Sequence, residues 1–281
     1  MNNLFLAKIL TNGFKSMIFT DGKSYSLVSN YYPHINTFSD FLKFIDLDNI
    51  SISLDNKLEE NTNFLDLIED QNIFATGCTY EWTKEKLATT PDNDSYKKIY
   101  FSDRAMFFYK GNKNNLASNY GNIRLRSDSI LTIPEAEIVV VFNSDGRIIG
   151  HTIGNDVTAV DIEKQNPLFQ MQAKFYKGSV SILPFIKLGS KLPMTHVYCE
   201  VYRNNSCISN TLYHTENFNR SNSELVSQLL KLGLNQNDGG FLFLGCGSSY
   251  PKDKGLKPND SVVIRSDFLP INLQNNCSIL E

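Results

Sequence analysis

One run constrains this chain more than any other: Glu135-Ala136-Glu137-Ile138-Val139-Val140-Val141-Phe142, followed by Asn143-Ser144-Asp145-Gly146. The β-branched residues favour a strand. Residues two apart on a strand share a face, with Cα atoms roughly 6.5–7 Å apart, so Glu135 and Glu137 point the same way. Two carboxylates on one face repel unless a cation sits between them. Asn143 to Gly146 reads as a hairpin turn, with Gly146 free to take positive φ. The returning strand, Arg147 to Ile153, ends at Gly154-Asn155-Asp156. A hairpin brings its ends together, so Asp156 is expected beside the glutamate pair. Three carboxylates on a rigid hairpin form an oxygen-ligand site for a hard divalent cation, Mg²⁺ above all, with Mn²⁺ able to replace it. The plainer alternative is a solvated strand face, which is the commoner use of an E-x-E pair.

The rest of the composition narrows the class. A chain of 281 residues with 41% hydrophobic and 20% charged residues is ordinary for a folded protein of one large domain with an appendage, or two domains. A formal charge of −3, with no Lys/Arg stripe, gives no basic field for nucleic acid. No apolar run approaches the ~18 residues of a membrane span. MNNLFLAKIL lacks a basic n-region and a cleavage site, so no signal peptide is expected. Cys78, Cys199, Cys207, Cys246 and Cys277 are odd in number and contain no CxxC; they read as reduced thiols in a cytoplasmic protein. His151 lies inside the hairpin and is expected to be structural, since an oxygen-rich site suits a hard ion.

Residues 1–72 are expected to form a small α+β module. Leu4–Ile9, Ser16–Phe19 and Tyr25–Val28 are strand candidates separated by Asn-Gly and Asp-Gly turns. Thr37 is placed to cap a helix carrying Phe38, Phe41, Leu42 and Ile45, and a second amphipathic piece is expected between Asn63 and Glu69. Further on, Thr89–Lys97 reads as a loop, and Val157–Lys164 as a short helix stopped at Asn166-Pro167. His196–Arg203 and Cys207–Tyr213 alternate well enough for a hairpin about Asn204-Asn205. Ser223 is a candidate cap for a helix ending at Gly233.

Several motifs in one order carry a resemblance: Glu135-Ala-Glu137 before a β-run, Asn155-Asp156, Asp161-Ile-Glu163, Asn166-Pro167-Leu168 and Gln172-Ala173-Lys174. Together they resemble the fumarylacetoacetate hydrolase superfamily, and most of all its branch that dehydrates 2-keto-3-deoxy sugar acids. The resemblance covers roughly residues 73–281, the expected catalytic domain. It implies an α+β, β-rich fold, a mixed β-sandwich or roll with few helices. It also implies Mg²⁺ ligation by Glu135, Glu137 and Asp156, and a substrate pocket lined by Lys174. Superfamily hydrolases carry a histidine three places after the tyrosine matching Tyr80. Here that place is Thr83, so hydrolysis lacks its general base and the dehydratase branch fits better. Glu81 and Glu85 are the remaining acid–base candidates; the start of a surface helix is the competing use.

Arg104 to Lys110 resembles the family's Arg-Pro-Glu-Leu-Phe-Phe-Lys, which places Lys110 among expected substrate contacts. Arg126 and Asp128 are expected near substrate too, or else as a surface ion pair. Gly239 to Gly247 resembles the family's Thr-Gly-Thr-Gly loop, implying that Gly245, Cys246 and Gly247 present backbone N–H groups to substrate. Three departures stand out: Met106 for glutamate, Val160 for arginine, and Leu244 and Cys246 for threonines. The expected function is Mg²⁺-dependent dehydration of a 2-keto-3-deoxy sugar acid. The alternatives are another 2-oxo acid reaction (C–C hydrolysis, decarboxylation or tautomerisation) or a non-catalytic binder of metal or keto acid. The expected partner is a small 2-oxo acid rather than nucleic acid or membrane, and a homodimer is expected.

Overall fold

The computed structural model describes residues 3–11, 13–83, 98–233 and 239–280. The strands, in chain order, open with β1 Phe5–Thr11, β2 Phe14–Thr20, β3 Ser24–Leu27, β4 Asn56–Lys57 and β5 Asn72–Thr76. Next come β6 Phe107–Gly111, β7 Leu116–Ala117, β8 Asn122–Leu125, β9 Thr132–Ile133, β10 Ala136–Phe142 and β11 Ile148–Asp156. The remainder are β12 Thr158–Ala159, β13 Val180–Ile182, β14 Phe185–Leu188, β15 His196–Arg203, β16 Ser206–His214, β17 Gly240–Phe243, β18 Ser261–Ser266 and β19 Leu273–Ile279.

Twelve strands join in one mixed sheet, ordered β4-β3-β2-β1-β14-β11-β10-β17-β5-β6, with β13 pairing β11 and β7 pairing β13. A second sheet runs β16-β15-β18-β19-β8. Alternation divides the β10 side chains between two cores. Ile138, Val140 and Phe142 pack with Val197, Val201, Val262 and Ile264 of the second sheet. Val139 and Val141 face the other way, toward Phe38, Phe41 and Leu42 of the helix Phe38–Phe44. Every residue of β10 and β11 is buried, so this hairpin is the centre of the molecule. The result is the β-rich, mixed-sheet sandwich with few helices that the motifs imply.

Residues 1–72 contribute β1 to β4 to the same large sheet, through antiparallel pairing of β1 with β14. Thr37 does cap the helix: its hydroxyl accepts from Asp40 N while the Asp40 carboxylate accepts from Thr37 N, a reciprocal capping box. The expected amphipathic piece at Asn63–Glu69 is not a helix. Its backbone is bound to β1 instead, with Leu65 N donating to Lys8 O and Phe64 bridging Ile9. Ser221, rather than Ser223, caps the helix Asn222–Leu230 by accepting from Glu224 N. The Asn204-Asn205 hairpin turn is present, both residues taking positive φ of 49° and 61°. The expected Thr89–Lys97 loop lies outside the described residues. Among those described, no helix is long and apolar enough to cross a membrane.

Candidate metal centre

The turn Asn143–Gly146 closes the β10–β11 hairpin, with Gly146 at φ +81° and its N–H donating to Asn143 O. At the far end, Ala136 pairs with Asn155 and Glu137 with Gly154, which sets Asp156 beside Glu135. Asp156 belongs to β11 itself rather than to a turn after it. The N–H of Asp156 donates to Glu135 O at 2.8 Å, fixing the register at the point where the carboxylates meet. Gly154 lies between them because nothing larger fits: a Cβ there would come within 2.4 Å of the Phe243 ring and 2.9 Å of Val139.

Glu135, Glu137 and Asp156 each offer a carboxylate oxygen, all within 4.8 Å of one another. Glu137 and Asp156 are almost fully buried, whereas the Glu135 side chain keeps about a quarter of its surface exposed. Two lysines meet this cluster. Lys174, at the end of the short helix Gln170–Lys174, reaches Glu135 Oε2 at 2.5 Å, Asp156 Oδ2 at 2.9 Å and Thr158 Oγ1 at 2.8 Å. Lys110, on β6, ion-pairs with Asp156 Oδ1 at 2.5 Å and donates to the carbonyls of Val157 at 3.0 Å and Lys174 at 2.5 Å.

Charge follows from this arrangement. Burial opposes ionisation of Asp156, yet the charges and hydrogen bonds of Lys110 and Lys174 hold its carboxyl below the usual range. Burial pulls down Lys110, with Asp156 opposing it. Burial acts the same way on Lys174, but Asp156, Glu135, Glu163 and Glu137 outweigh it and keep that ammonium well above its ordinary value. Glu137 goes the other way: burial first, then Asp156 and Glu135, push its carboxyl well above the carboxylate range. The Gly245 N–H, donating to Glu137 Oε2 at 2.7 Å, offsets this only in part. A divalent ion among the three carboxylates supplies the positive charge that Glu137 lacks, and an all-oxygen donor set suits a hard cation. The residues therefore fit Mg²⁺.

The other expected site residues divide. Gly245 aims its N–H at Glu137 rather than outward, and Gly247 packs so tightly on Tyr213 that a Cβ would lie 2.2 Å from the ring. The Cys246 carbonyl accepts from Trp82 Nε1 at 2.8 Å, while its thiol donates to Ser248 O. Lys110 does not open toward solvent: it is fully buried beneath Asp156. Arg126 holds Asp128 through both Nε and Nη2, at 2.8 and 2.6 Å, and Nη1 donates to Gln172 O. That is the expected surface ion pair, with an added tether to the helix bearing Lys174. Glu81 is exposed at the start of a helical turn, and Glu85 lies outside the described residues. Met106 is half-buried between Gly77 and the Gln170 amide, which donates to its sulfur. Val160 leaves Asp161 without an arginine, but Asp161 accepts instead from Ser129 Oγ and from the Ile130 and Leu131 amides.

Thr158 escaped the sequence reading. It donates to Glu135 Oε2 at 3.1 Å and accepts from Lys174. Its position two residues after Asp156, on the same face of an extended chain, was the available signal.

A β-rich double sheet that presents three carboxylates and two buried lysines at the end of its central hairpin offers the donor set for a divalent cation. No protein-family model matches the chain. Among known proteins, it is 30% identical over 205 residues to the 2-dehydro-3-deoxy-D-arabinonate dehydratase of Saccharolobus solfataricus, covering 70% of this chain and 68% of that protein. It is 29% identical over 226 residues to a probable 2-keto-3-deoxyxylonate dehydratase of Haloferax volcanii, covering 74% and 76%. A 2-keto-3-deoxy-D-arabinonate dehydratase complexed with magnesium and 2,5-dioxopentanoate shares the fold, with a TM-score of 0.81, 23% identity and 99% of both chains covered. A fumarylacetoacetate hydrolase from Exiguobacterium antarcticum also shares it, at a TM-score of 0.71 and 15% identity over 99% of this chain and 100% of that one. The chain belongs to the family of the 2-dehydro-3-deoxy-D-arabinonate dehydratase of Saccharolobus solfataricus, and it shares its fold with a fumarylacetoacetate hydrolase.

Proposed function

We propose that this protein is a hydro-lyase that removes water from a 2-keto-3-deoxy sugar acid, with Mg²⁺ held by Glu135, Glu137 and Asp156. The observation that carries the reading is the convergence of those carboxylates within 4.8 Å on one buried hairpin, in a chain whose relatives are named dehydratases. A Mg²⁺ ion held by Glu135, Glu137 and Asp156 would supply a Lewis acid beside the keto group of a 2-oxo acid, which would make a C3 proton easier to remove.

The chain's own residues do the rest. The hairpin fixes the three ligand oxygens before substrate arrives, so little ordering remains to be done at binding. Lys174 adds a permanent positive charge beside Glu135, the most exposed ligand, where the substrate carboxylate approaches. The Gly245 N–H steadies Glu137. The C3 proton and the C4 hydroxyl together leave as water, and carrying the proton from C3 to the departing hydroxyl is the role assigned to Glu81 or Glu85.

A second reading, a changed 2-oxo acid or a different reaction on it, is favoured by Met106. Its thioether carries no transferable proton and fills the space beside Gly77 and Gln170.

The test is to incubate the protein with 2-keto-3-deoxypentonates, acylpyruvates and oxaloacetate, with Mg²⁺ or with EDTA, and follow products by mass. Metal-dependent loss of one water from a deoxy sugar acid is the expected result. Cleavage or CO₂ release would move the reaction class, and metal binding without turnover of any compound would make the protein a binder. Glu137→Gln is expected to weaken Mg²⁺ binding and abolish turnover; retained activity would sink the ligand assignment.

A further inference from the structure

Lys110 is among the largest fully buried side chains, and it is cationic. A buried ammonium is costly unless its charge is paired and its three N–H donors are used. Here the ammonium donates to Val157 O at 3.0 Å and to Lys174 O at 2.5 Å, and pairs its charge with Asp156 Oδ1 at 2.5 Å. Fully buried, it has no surface open to a substrate. The three contacts are with the parts of the site that must stay in register: a carboxylate of the cluster, the strand backbone next to it, and the residue whose own ammonium grips Glu135 and Asp156. The Lys174 carbonyl accepts from Ser179 Oγ as well, at 3.0 Å, so this junction is pinned from two sides.

We propose that Lys110 is the positioning residue of the metal centre: by tying Asp156 Oδ1 to the Val157 and Lys174 carbonyls, it fixes where the Asp156 carboxylate sits beside Glu135 and Glu137. This rests on the reading of the carboxylate cluster as a Mg²⁺ site. Removing the ammonium leaves Oδ1 as a buried charge without its partner, which the side chain relieves by turning away, and that takes a ligand from the ion. Lys110 thus acts on the metal through Asp156 and touches neither metal nor substrate.

The test is calorimetric titration of Mg²⁺ into the full-length wild type, Lys110→Met and Lys110→Gln, with the Mn²⁺ electron paramagnetic resonance spectrum as a second readout. Lys110→Met is expected to raise the Kd for Mg²⁺ at least tenfold and to broaden the distribution of Mn²⁺ environments. Lys110→Gln, which keeps an N–H for Asp156, is expected to recover part of the affinity, and it serves alone if the methionine variant does not fold. Lys8→Met is the control. It breaks a lysine–carboxylate pair, Lys8–Glu69, away from the cluster, and should lower Tm without moving the Kd. A folded Lys110 variant that binds Mg²⁺ as the wild type does overturns the proposal and leaves the metal-site reading standing. So does an equal loss in Lys8→Met, which would make the effect one of general destabilisation. A wild type that binds no Mg²⁺ overturns both.

Discussion

At the scale of single residues, the cluster depends on what is absent as much as on what is present. The Phe243 ring fills the space beside Gly154, and Gly154→Ala drives a methyl into that ring. Overpacking of this kind costs about 1–3 kcal/mol. The variant should show that loss in denaturant unfolding together with weakened Mg²⁺ binding, because the hairpin that aligns the ligands is the part pushed apart. His151, on the same strand, is buried, with its ring bonded to Gly189 O and Asn222 Nδ2; burial depresses its pKa to about 3. It therefore stays neutral in the fold while the unfolded chain protonates it below about pH 6.5. The stability this preserves is complete above pH 6.5 and falls as pH drops from there toward 3, by about 2–3 kcal/mol at pH 4.5. A His151→Gln variant should lose stability at neutral pH yet fall less steeply between pH 6 and 4, read as Tm against pH. An equal slope would show that another group governs the acid limb. His151 was legible as structural because an imidazole is a poor match for an oxygen site. Lys110 was not legible: the motif places it near the site, but only packing reveals that it lies beneath Asp156. That burial follows an irregularity in register between β5 and β6, next to Phe74.

At the scale of elements, local signals held where they were sufficient and failed where two elements compete. Thr37 and Asp40 determine a helix start by themselves, and Thr37→Ala should cost about 1 kcal/mol. Chemical denaturation is the measurement, with Mg²⁺ affinity unchanged because the side chains that hold the carboxylates, Lys110, Lys174 and Thr158, come from other elements. Asn63–Glu69 shows the opposite case. Its apolar residues Phe64, Leu65, Leu67 and Ile68 fit a helix on paper, yet β1 takes the backbone donor of Leu65. Glu69 then serves another element, accepting from Phe38 N at 2.9 Å and pairing with Lys8. A non-local strand partner is invisible to a periodicity argument, and it wins because it satisfies backbone groups that would otherwise be buried unpaired. The β10–β11 hairpin was legible for the converse reason: its partner is its own neighbour, joined by a turn whose residues specify it. The glycine turn after β17 was legible as a turn, but the direction of the Gly245 N–H, toward a carboxylate rather than a ligand, depended on the distant Glu137.

At the scale of the molecule, the cluster couples stability to metal. An ion bound only by the folded state adds about 2.7 kcal/mol when present at a hundredfold excess over its Kd. Thermal unfolding should therefore shift upward with Mg²⁺ and return with EDTA. The Glu137→Gln variant should show no such shift, and an unchanged wild-type midpoint would count against the metal reading. The large sheet also has a consequence at this scale. The pairing of β1 with β14 covers one side of a strand that lies next to the site hairpin. A chain shortened to begin at residue 73 would leave that side as an open row of backbone donors and acceptors, the kind of edge that recruits a strand from another molecule. Such a fragment should therefore self-associate in proportion to its concentration, and an added peptide spanning Phe5–Thr11 should keep it dispersed. In that sense the first strand acts as an internal chaperone for the rest of the sheet, which carries the carboxylate cluster.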